Sequence, residues 1–199
     1  MQAQAKRQLR RTMRATRNAL TQAQQQAAGQ RLARLLNAHP LLWHCRRVGL
    51  YLPQDGELDP RPLAARLAQR KKHLFLPAIN PVRHGGKLLE FVRWQPKSSS
   101  LRPNRFGIAE PVGRRTPAWS LDLVLLPLVA FDRHGNRLGM GGGFYDRSFA
   151  DRRSKPRQPL LVGLAHAFQE VAELPTARHD VPLDAIATDR ELIHTKDAS

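Results

Sequence analysis

The sequence has one cysteine, no long apolar stretch and few acidic residues. Cys45 has no second cysteine with which to form a disulfide in this chain, which fits a reducing compartment, so we expect a cytoplasmic protein. No apolar run is long enough to cross a bilayer, and the basic N-terminus lacks the apolar segment of a secretory signal. The 16 acidic residues against 33 Lys and Arg give a formal net charge of +17, which implies attraction to polyanions: nucleic acid, anionic lipid or small acidic metabolites.

The motifs of several enzyme classes are also missing. No Gly-Lys-Ser/Thr occurs, which excludes a Walker-type phosphate loop. Gly139 and Gly141 begin the dinucleotide-binding pattern Gly-x-Gly-x-x-Gly, but Phe144 stands where the third glycine belongs. His44 beside Cys45 has no second pair of metal ligands, and no motif supports a Ser-His-Asp or Cys-His nucleophile.

A glycine-rich loop is the most distinctive feature that the chain does have. Residues 139–143 hold four of the 13 glycines, after a strand-like run at 121–127 and before a helix predicted from Phe144. Glycines let backbone amides turn toward a ligand, so strand, loop and helix together form a candidate phosphate cradle. Arg137 adds a cation suited to phosphate, and Asp146 stands where a carboxylate could hold Mg²⁺. The alternative is a flexible or tightly turned surface loop.

Strand-like and helix-like segments alternate along the chain. We predict helices at 3–20, after the capping-box pair Thr21 and Gln24, and after Asp59-Pro60. We predict strands at 48–53, 73–77, 88–93, 121–127, 160–165 and 185–188, with a loop at 96–103. This alternation favours an α/β fold: a single three-layer domain over residues 1–199, with a largely parallel central sheet flanked by helices. Ligands bind at the carboxyl ends of parallel strands, so the loops at 52–57 and 127–143 are expected to face one cleft.

The first predicted helix carries a stripe of basic residues. Lys6, Arg10, Arg14 and Arg17 recur every three or four positions, so they share one side of a helix that turns by about 100° per residue. Either they form a solvated basic face, or Lys6 and Arg10, one turn apart, point together at a phosphate.

Four stretches of the sequence resemble one enzyme family. Residues 137–146, Arg-Leu-Gly-Met-Gly-Gly-Gly-Phe-Tyr-Asp, are similar to the glycine-loop motif of the 5-formyltetrahydrofolate cyclo-ligase family, whose members are also called methenyltetrahydrofolate synthetases. The stretches 127–132 with Gly135, 6–10, and 51–53 with Glu57 resemble that family in the same order and at the expected spacing. The resemblance covers nearly the full length of the chain.

The resemblance implies an ATP-dependent ring closure. Members of the family convert 5-formyltetrahydrofolate, with ATP and Mg²⁺, to 5,10-methenyltetrahydrofolate, ADP and phosphate, by phosphorylation of the formyl oxygen and attack by N10. We therefore expect ATP as co-substrate, Mg²⁺, a folate with or without a polyglutamate tail, and a monomer that binds neither membrane nor nucleic acid. The alternatives are an RNA-binding module, suggested by the charge, and a relative that kept the fold and lost the activity.

The resemblance also implies roles for individual residues. Arg137 and Tyr145 are expected to be catalytic, and Asp146 and Asp180 to bind the metal, although Asp180 with His179 also fits an ordinary polar turn. In this chain Gly142 and Phe106 replace a lysine and a tryptophan found in some relatives. The expected ATP contacts are Lys6, Arg7, Gln8, Leu9, Arg10, Arg137, Leu138, Gly139, Met140, Gly141, Gly142, Gly143, Phe144 and Tyr145. The expected folate contacts are Leu52, Glu57, Phe106, Met140, Gly141, Gly142, Gly143 and Phe144.

Overall fold

The computed structural model describes residues 2–80, 88–96, 100–104 and 107–195, apart from the side chains of residues 80 and 153. Its α-helices are α1 (Gln2–Asn18), α2 (Gln22–Asn37), α3 (Arg61–Gln69) and α4 (Phe144–Phe149). Its strands are β1 (Arg47–Gly49), β2 (His73–Asn80), β3 (Leu88–Trp94), β4 (Leu101–Pro103), β5 (Ala109–Pro111), β6 (Arg115–Pro117), β7 (Leu123–Pro127), β8 (Ala130–Phe131), β9 (Arg137–Leu138), β10 (Leu160–Ala165), β11 (Ala185–Thr188) and β12 (Leu192–His194). No helix in the described ranges is both long and apolar enough to cross a bilayer.

Eight strands form one sheet in the order β12-β11-β10-β7-β1-β2-β3-β6. The five strands from β11 to β2 run parallel, whereas β12, β3 and β6 pair antiparallel with their neighbours at the two edges. The predicted α/β fold with a largely parallel sheet is therefore confirmed. Strands β3 and β12 follow their antiparallel neighbours β2 and β11 directly in the chain, and such pairs need no crossover helix.

Strand β7 shows how the sheet divides the buried core. Leu123 and Leu125 join an apolar cluster that contains the inner faces of α2 and α3. Val124 and Leu126 join a second cluster, which includes Phe149 of α4. A strand that is buried on both faces has a continuous apolar run instead of an alternating one, which makes this strand recognisable in the sequence.

Helix α2 begins where the sequence predicts. The Thr21 hydroxyl accepts a hydrogen bond from the Gln24 amide, and the Gln24 side chain accepts one from the Thr21 amide. This capping box satisfies two amides that the first turn of a helix leaves without partners. The apolar face of α2 then packs with that of α3 in the first cluster.

Two segments differ from the prediction for physical reasons. β1 ends at Gly49, whereas the apolar run predicts a strand as far as residue 53. The Leu50 amide still donates to the Phe75 carbonyl on β2, and the ladder stops there. The Tyr51 hydroxyl donates to the Leu58 carbonyl, and Pro53 has no amide hydrogen for a ladder. The antiparallel pair β4 and β5 includes residues 101–103, where the sequence predicts a loop. β4 is exposed along its length, so it has no alternating apolar pattern to reveal it.

The central strand β1 marks the place where ligands are expected. The chain leaves β1 for β2 on one side and later enters β7 on the other side. Such a change of direction leaves a crevice outside the carboxyl ends of the two strands. The segments that follow β1 and β7, at 50–60 and 128–143, both begin at this edge of the sheet.

Candidate active site

A cavity of about 690 Å³ lies beyond the carboxyl ends of β1 and β7. Cavities in which proteins bind small molecules are commonly about 300–1,000 Å³. Its walls come from α1, the loop after β1, the end of β2, the β4–β5 hairpin and the glycine loop with α4. The predicted site residues that line it are Lys6, Arg10, Leu52, Glu57, Arg137, Leu138, Gly139, Met140, Gly141, Gly142, Gly143, Phe144, Tyr145, Asp146 and Asp180.

Helix α1 contributes two cations to this cavity. Arg10 Nε donates to the Gly139 carbonyl oxygen at 2.8 Å. Lys6 Nζ lies 3.7 Å from the Asp180 carboxylate, and its side chain is mostly buried. Arg10 therefore lies beside the glycine loop, and Lys6, one helical turn earlier, lies beside Asp180, both on the side of α1 that the spacing of the basic stripe predicts.

The residues between these cations face other directions. Arg7 and Gln8 are exposed and are not among the residues that line the cavity, because the helical period turns them away from Lys6. Leu9 packs against a small apolar cluster that contains Ala130 and Leu138. Leu9 thus holds α1 against the body of the protein, whereas the ATP contacts of Arg7 and Gln8 stay predictions for two exposed side chains outside the cavity lining.

The glycine loop turns sharply into α4. Gly143 precedes the helix with a φ of 62°, in the left-handed region that glycine adopts without a steric penalty. The Arg147 guanidinium folds back from α4 and donates to the Gly142 carbonyl. The helix predicted from Phe144 is confirmed, although it has only six residues. Arg147, which the sequence analysis did not single out, therefore holds the loop against its own helix.

Arg137 and Asp146 form an ion pair at the base of the glycine loop. Arg137 Nη2 lies 2.6 Å from Asp146 Oδ1, and Arg137 Nη1 donates to the Val181 carbonyl. The Val181 amide donates back to Asp146 at 3.2 Å. Only 6% of the Arg137 side chain is exposed, so these contacts fix its guanidinium. A cation held in this way needs little reorganisation when a phosphate binds near it.

The two carboxylates predicted to bind metal, Asp146 and Asp180, line the same cavity. Asp180 is oriented by the backbone, since its Oδ2 accepts a hydrogen bond from the Ala177 amide at 2.8 Å. Among the described residues, no group of three or more His, Cys, Asp or Glu side chains is placed to hold a metal ion. Mg²⁺ commonly binds through one or two carboxylates together with substrate phosphates, so the prediction for Asp146 and Asp180 does not require a third protein ligand.

Glu57 brings a further carboxylate to the cavity, from the loop after β1. Its Oε2 accepts a hydrogen bond from the Gln54 amide at 3.1 Å. Burial raises the pKa of Glu57 to about 7, despite this bond and the charge of Arg17. Burial and the nearby Glu57 charge also raise the pKa of Tyr145 well above its ordinary value of 10. At neutral pH the Tyr145 phenol is therefore protonated, so it can donate a hydrogen bond but cannot act as a base.

The β4–β5 hairpin forms another wall of the cavity. Glu110 Oε1 accepts hydrogen bonds from the Ile79 amide on β2 at 2.9 Å and from Asn104 Nδ2 at 2.7 Å. These contacts hold the hairpin against the sheet. Leu52, a predicted folate contact, is half-buried and lines the cavity. Phe106, also a predicted folate contact, lies outside the residues that the structure describes.

Arg17 shows that the basic stripe of α1 is not a uniformly solvated face. Its side chain is completely buried, with Nη2 2.7 Å from Asp55 Oδ2 and Nη1 donating to the Leu128 carbonyl at 3.3 Å. The interpretation as a solvated face is wrong at this position, because the end of α1 packs against the loop after β1. Asp55 is a further residue of this contact that no sequence motif predicts as part of the site. Its only local signal is the Asp-Gly turn pair that it forms with Gly56.

Gly56→Ala is expected to lower the free energy of unfolding by about 2–4 kcal/mol. Gly56 has a φ of 71°, and an added Cβ would lie 2.9 Å from the Arg17 carbonyl oxygen, so both the turn and the end of α1 would have to shift. Urea denaturation measures the loss. Gly107→Ala is the matched control, because its φ is 75° and an added Cβ meets nothing within 4 Å in the described part of the chain. Equal losses in the two variants would contradict the close contact with α1.

Comparisons with known proteins agree with one another. The sequence model of the 5-formyltetrahydrofolate cyclo-ligase family matches residues 2–189. The 5-formyltetrahydrofolate cyclo-ligase of Escherichia coli K12 is 41% identical over 172 residues, which cover 85% of this chain and 92% of that protein. The protein of the same name from Haemophilus influenzae is 39% identical over 189 residues, covering 92% of this chain and 97% of its own length. The NMR structure of Aquifex aeolicus 5,10-methenyltetrahydrofolate synthetase superimposes with a TM-score of 0.80 and 32% identity, over 98% of this chain and 94% of that one.

Proposed function

This chain belongs to the 5-formyltetrahydrofolate cyclo-ligase family, and we propose that it uses ATP and Mg²⁺ to convert 5-formyltetrahydrofolate, with or without a polyglutamate tail, to 5,10-methenyltetrahydrofolate. One observation carries this proposal. The cations of α1, the glycine loop and Glu57 line a single cavity, although Arg10 and Gly139 are 129 positions apart in the sequence. The cavity thus offers cations for a nucleotide and a carboxylate for a folate.

The proposed reaction turns the formyl oxygen into a leaving group. The γ-phosphoryl group of ATP is transferred to that oxygen, and ADP leaves. N10 of the folate then attacks the formyl carbon and loses its proton, the carbon–oxygen bond breaks, and phosphate departs as the ring closes. Phosphoryl transfer of this kind depends mainly on positioning and on neutralisation of charge.

The cations around the glycine loop supply that neutralisation. Lys6 and Arg10 approach the loop from α1, and Arg137 is fixed at its base. The backbone amides of residues 139–143 add hydrogen-bond donors for the phosphates. Asp146 and Asp180 would hold Mg²⁺, which when bound neutralises negative charge on the phosphoryl group.

Glu57 and Tyr145 are proposed to contact the folate. The ionised Glu57 carboxylate accepts hydrogen bonds from N–H groups of the pterin ring, which presents several such donors. The Tyr145 phenol stays protonated and donates a hydrogen bond to a substrate oxygen or nitrogen. Leu52 and Ile108 line the same cavity and offer apolar contact to the faces of the ring.

The absorbance of 5,10-methenyltetrahydrofolate tests this proposal directly. Purified protein mixed with 5-formyltetrahydrofolate, ATP and Mg²⁺ is expected to give a time-dependent signal. Omission of ATP, or removal of Mg²⁺ with EDTA, should abolish the signal, and excess Mg²⁺ should restore it. A signal that needs no ATP would contradict the mechanism. No signal at all, combined with tight and salt-sensitive RNA binding, would favour an RNA-binding function instead.

We further propose that residues 1–199 form one domain that acts as a monomer in a reducing compartment such as the cytoplasm. Cys45 is a free and buried thiol, which suits such a compartment. Light scattering during gel filtration measures the mass in solution. The mass of one chain supports the monomer, and a multiple of that mass contradicts it.

A further inference from the structure

Asp55 joins helix α1 to the loop that carries Glu57. Its Oδ2 accepts hydrogen bonds from Arg14 Nε at 2.6 Å and from Arg17 Nη2 at 2.7 Å. Its Oδ1 accepts hydrogen bonds from Asn18 Nδ2 at 2.9 Å and from Arg14 Nη2 at 3.3 Å. The bond from Arg14 is the main cause that lowers the pKa of Asp55 to about 2, so the carboxylate is ionised at neutral pH. Both oxygens are thus bound by α1 through charge-assisted contacts, which are stronger than neutral hydrogen bonds.

Gly56, which lies between Asp55 and Glu57, is held in place by contacts on two sides. The Gly56 carbonyl lies 3.2 Å from His166 Nε2, just after β10. On the other side, Gly56 packs so closely against the Arg17 backbone that no Cβ fits between them. Glu57 follows directly in the chain, so its position depends on where α1 and Asp55 hold this turn.

The same helix contacts the glycine loop two turns earlier, where Arg10 donates to the Gly139 carbonyl. Of the 17 residues in α1, Arg17 is the buried one, and Leu9 and Met13 make partly buried contacts with a small apolar cluster. The placement of α1 therefore depends largely on polar contacts, which Lys6 and Arg10 make in its first half and Arg14, Arg17 and Asn18 make in its last turns. When a ligand fixes one end of such an element, less conformational entropy remains to be lost at the other end.

We propose that Asp55 is a positioning residue through which nucleotide binding and folate binding become cooperative. This inference rests on the proposed function. Phosphates bound by Lys6 and Arg10 fix α1 against the glycine loop, α1 holds Asp55, and Asp55 places Glu57 for the folate. Because coupling between two binding sites is reciprocal, a folate bound at Glu57 strengthens nucleotide binding by the same factor.

The coupling is measured as the Kd of a non-hydrolysable ATP analogue with Mg²⁺, without and with saturating 5-formyltetrahydrofolate. The wild-type protein is expected to bind the analogue about tenfold more tightly when the folate is present. Asp55→Asn keeps the shape of the side chain and removes its charge, and we expect it to reduce this ratio to less than about twofold. The Kd without folate should change little in the variant, because Lys6 and Arg10 retain their own contacts. General structural damage would change that Kd as well.

Asp184→Asn is the matched control. Asp184 accepts hydrogen bonds from Arg152 at 2.6 and 2.8 Å, at the amino ends of β10 and β11 and away from the cavity. This variant loses a comparable ion pair and is expected to keep the wild-type ratio. Hydrogen exchange gives a second measure. The analogue should slow exchange in α1 and in residues 54–57 of the wild-type protein, but only in α1 of Asp55→Asn.

The possible outcomes separate the coupling from the catalytic activity. An unchanged ratio in Asp55→Asn, or a ratio of one in the wild-type protein, overturns the inference, whereas turnover by that protein still supports the proposed function. Coupled binding without formation of methenyltetrahydrofolate overturns the proposed function and leaves the coupling in place. If Asp55→Asn does not fold, Arg14→Gln provides the test, since 45% of the Arg14 side chain is exposed and the buried Arg17 contact remains. It should lower the ratio, and an unchanged ratio there also overturns the inference.

Discussion

Arg137→Ala is expected to lower kcat/KM for methenyltetrahydrofolate formation by about 10²- to 10³-fold, the effect of removing one preorganised donor from an active site. The Asp146 carboxylate and the Val181 carbonyl orient the Arg137 guanidinium, and the side chain is almost fully buried. Its charge is therefore in place before the nucleotide arrives. Negative charge shifts toward the leaving oxygen of ADP as the bond to it breaks, and a contact that strengthens in the transition state raises kcat, so most of the loss should appear in kcat. Initial rates at saturating and limiting ATP measure the two parameters.

Two further variants distinguish the effect of losing the Arg137 charge from the effect of structural damage. Arg133 forms ion pairs with Glu170 and Glu191 and is more than half exposed, so Arg133→Ala should keep kcat/KM within about twofold of the wild-type value. Arg137→Lys keeps a charge but not the planar fork, so a partial recovery is expected. Thermal denaturation shows whether each variant is folded, because Arg137→Ala also removes the cation that pairs with the Asp146 carboxylate. Unchanged turnover in a folded Arg137→Ala protein would remove Arg137 from the mechanism.

The count of 33 Lys and Arg overstates the number of cations available to a polyanion, because many of the 16 acidic residues form ion pairs with them. Arg17 and Arg137 are buried and paired with carboxylates. Other arginines form ion pairs between distant parts of the chain: Arg31 with Asp189, Arg133 with Glu170 and Glu191, and Arg152 with Asp184. Composition counts charged residues but not their partners. The sequence alone therefore could not separate attraction to acidic ligands from a structural use of arginine.

Local patterns predict most of the fold correctly. The capping box at Thr21 places the start of α2, and the apolar run that ends at Pro127 identifies β7, because each pattern is complete within a few residues. β12 and the β4–β5 hairpin are not predicted. These strands have three residues each, and β4 is fully exposed, so their pairing depends on partners and not on an apolar pattern of their own.

The residues of the candidate site also differ in how well the sequence predicts them. The stretch 137–146 is recognisable because its residues share one loop and one helix start, so their spacing is local. Arg17 and Asp55 are 38 positions apart, and neither belongs to a local sequence motif that would mark it as part of the site. Arg17 shares the helical period of Arg10 and Arg14, and only the packing of α1 on the loop after β1 buries it. Residues that pair over a long separation in the sequence are therefore harder to predict than residues that belong to one local motif.

Glu57 is expected to make folate turnover depend on pH. Burial raises its pKa in the folded protein from an ordinary 4.5 to about 7, although the Gln54 amide and the charge of Arg17 act in the opposite direction. The pterin N–H groups are proposed to need an ionised carboxylate. At saturating ATP, kcat/KM for the folate should be constant above about pH 7 and fall about tenfold for each pH unit below it.

The contribution of Glu57 to stability should depend on pH in the opposite sense. Its pKa in the folded protein lies above its unfolded value, so the folded state binds this proton more tightly. The contribution is fully present below about pH 4.5 and is lost as the pH rises through about 7. Since the carboxylate is only partly buried, we expect this contribution to amount to about 1–3 kcal/mol, measured by urea denaturation across the pH range.

Glu57→Gln tests both effects with one substitution, because glutamine has nearly the same shape and no charge at any pH. At pH 8, kcat/KM for the folate should fall at least about tenfold, since the amide replaces one acceptor with a donor, and its dependence on pH below 7 should disappear. Above pH 7 the variant should be more stable than the wild-type protein. Glu173→Gln, at an exposed position outside the cavity lining, should change neither property. If Glu57→Gln keeps the wild-type decline below pH 7, another group titrates there, and Glu57 is not the carboxylate that binds the folate.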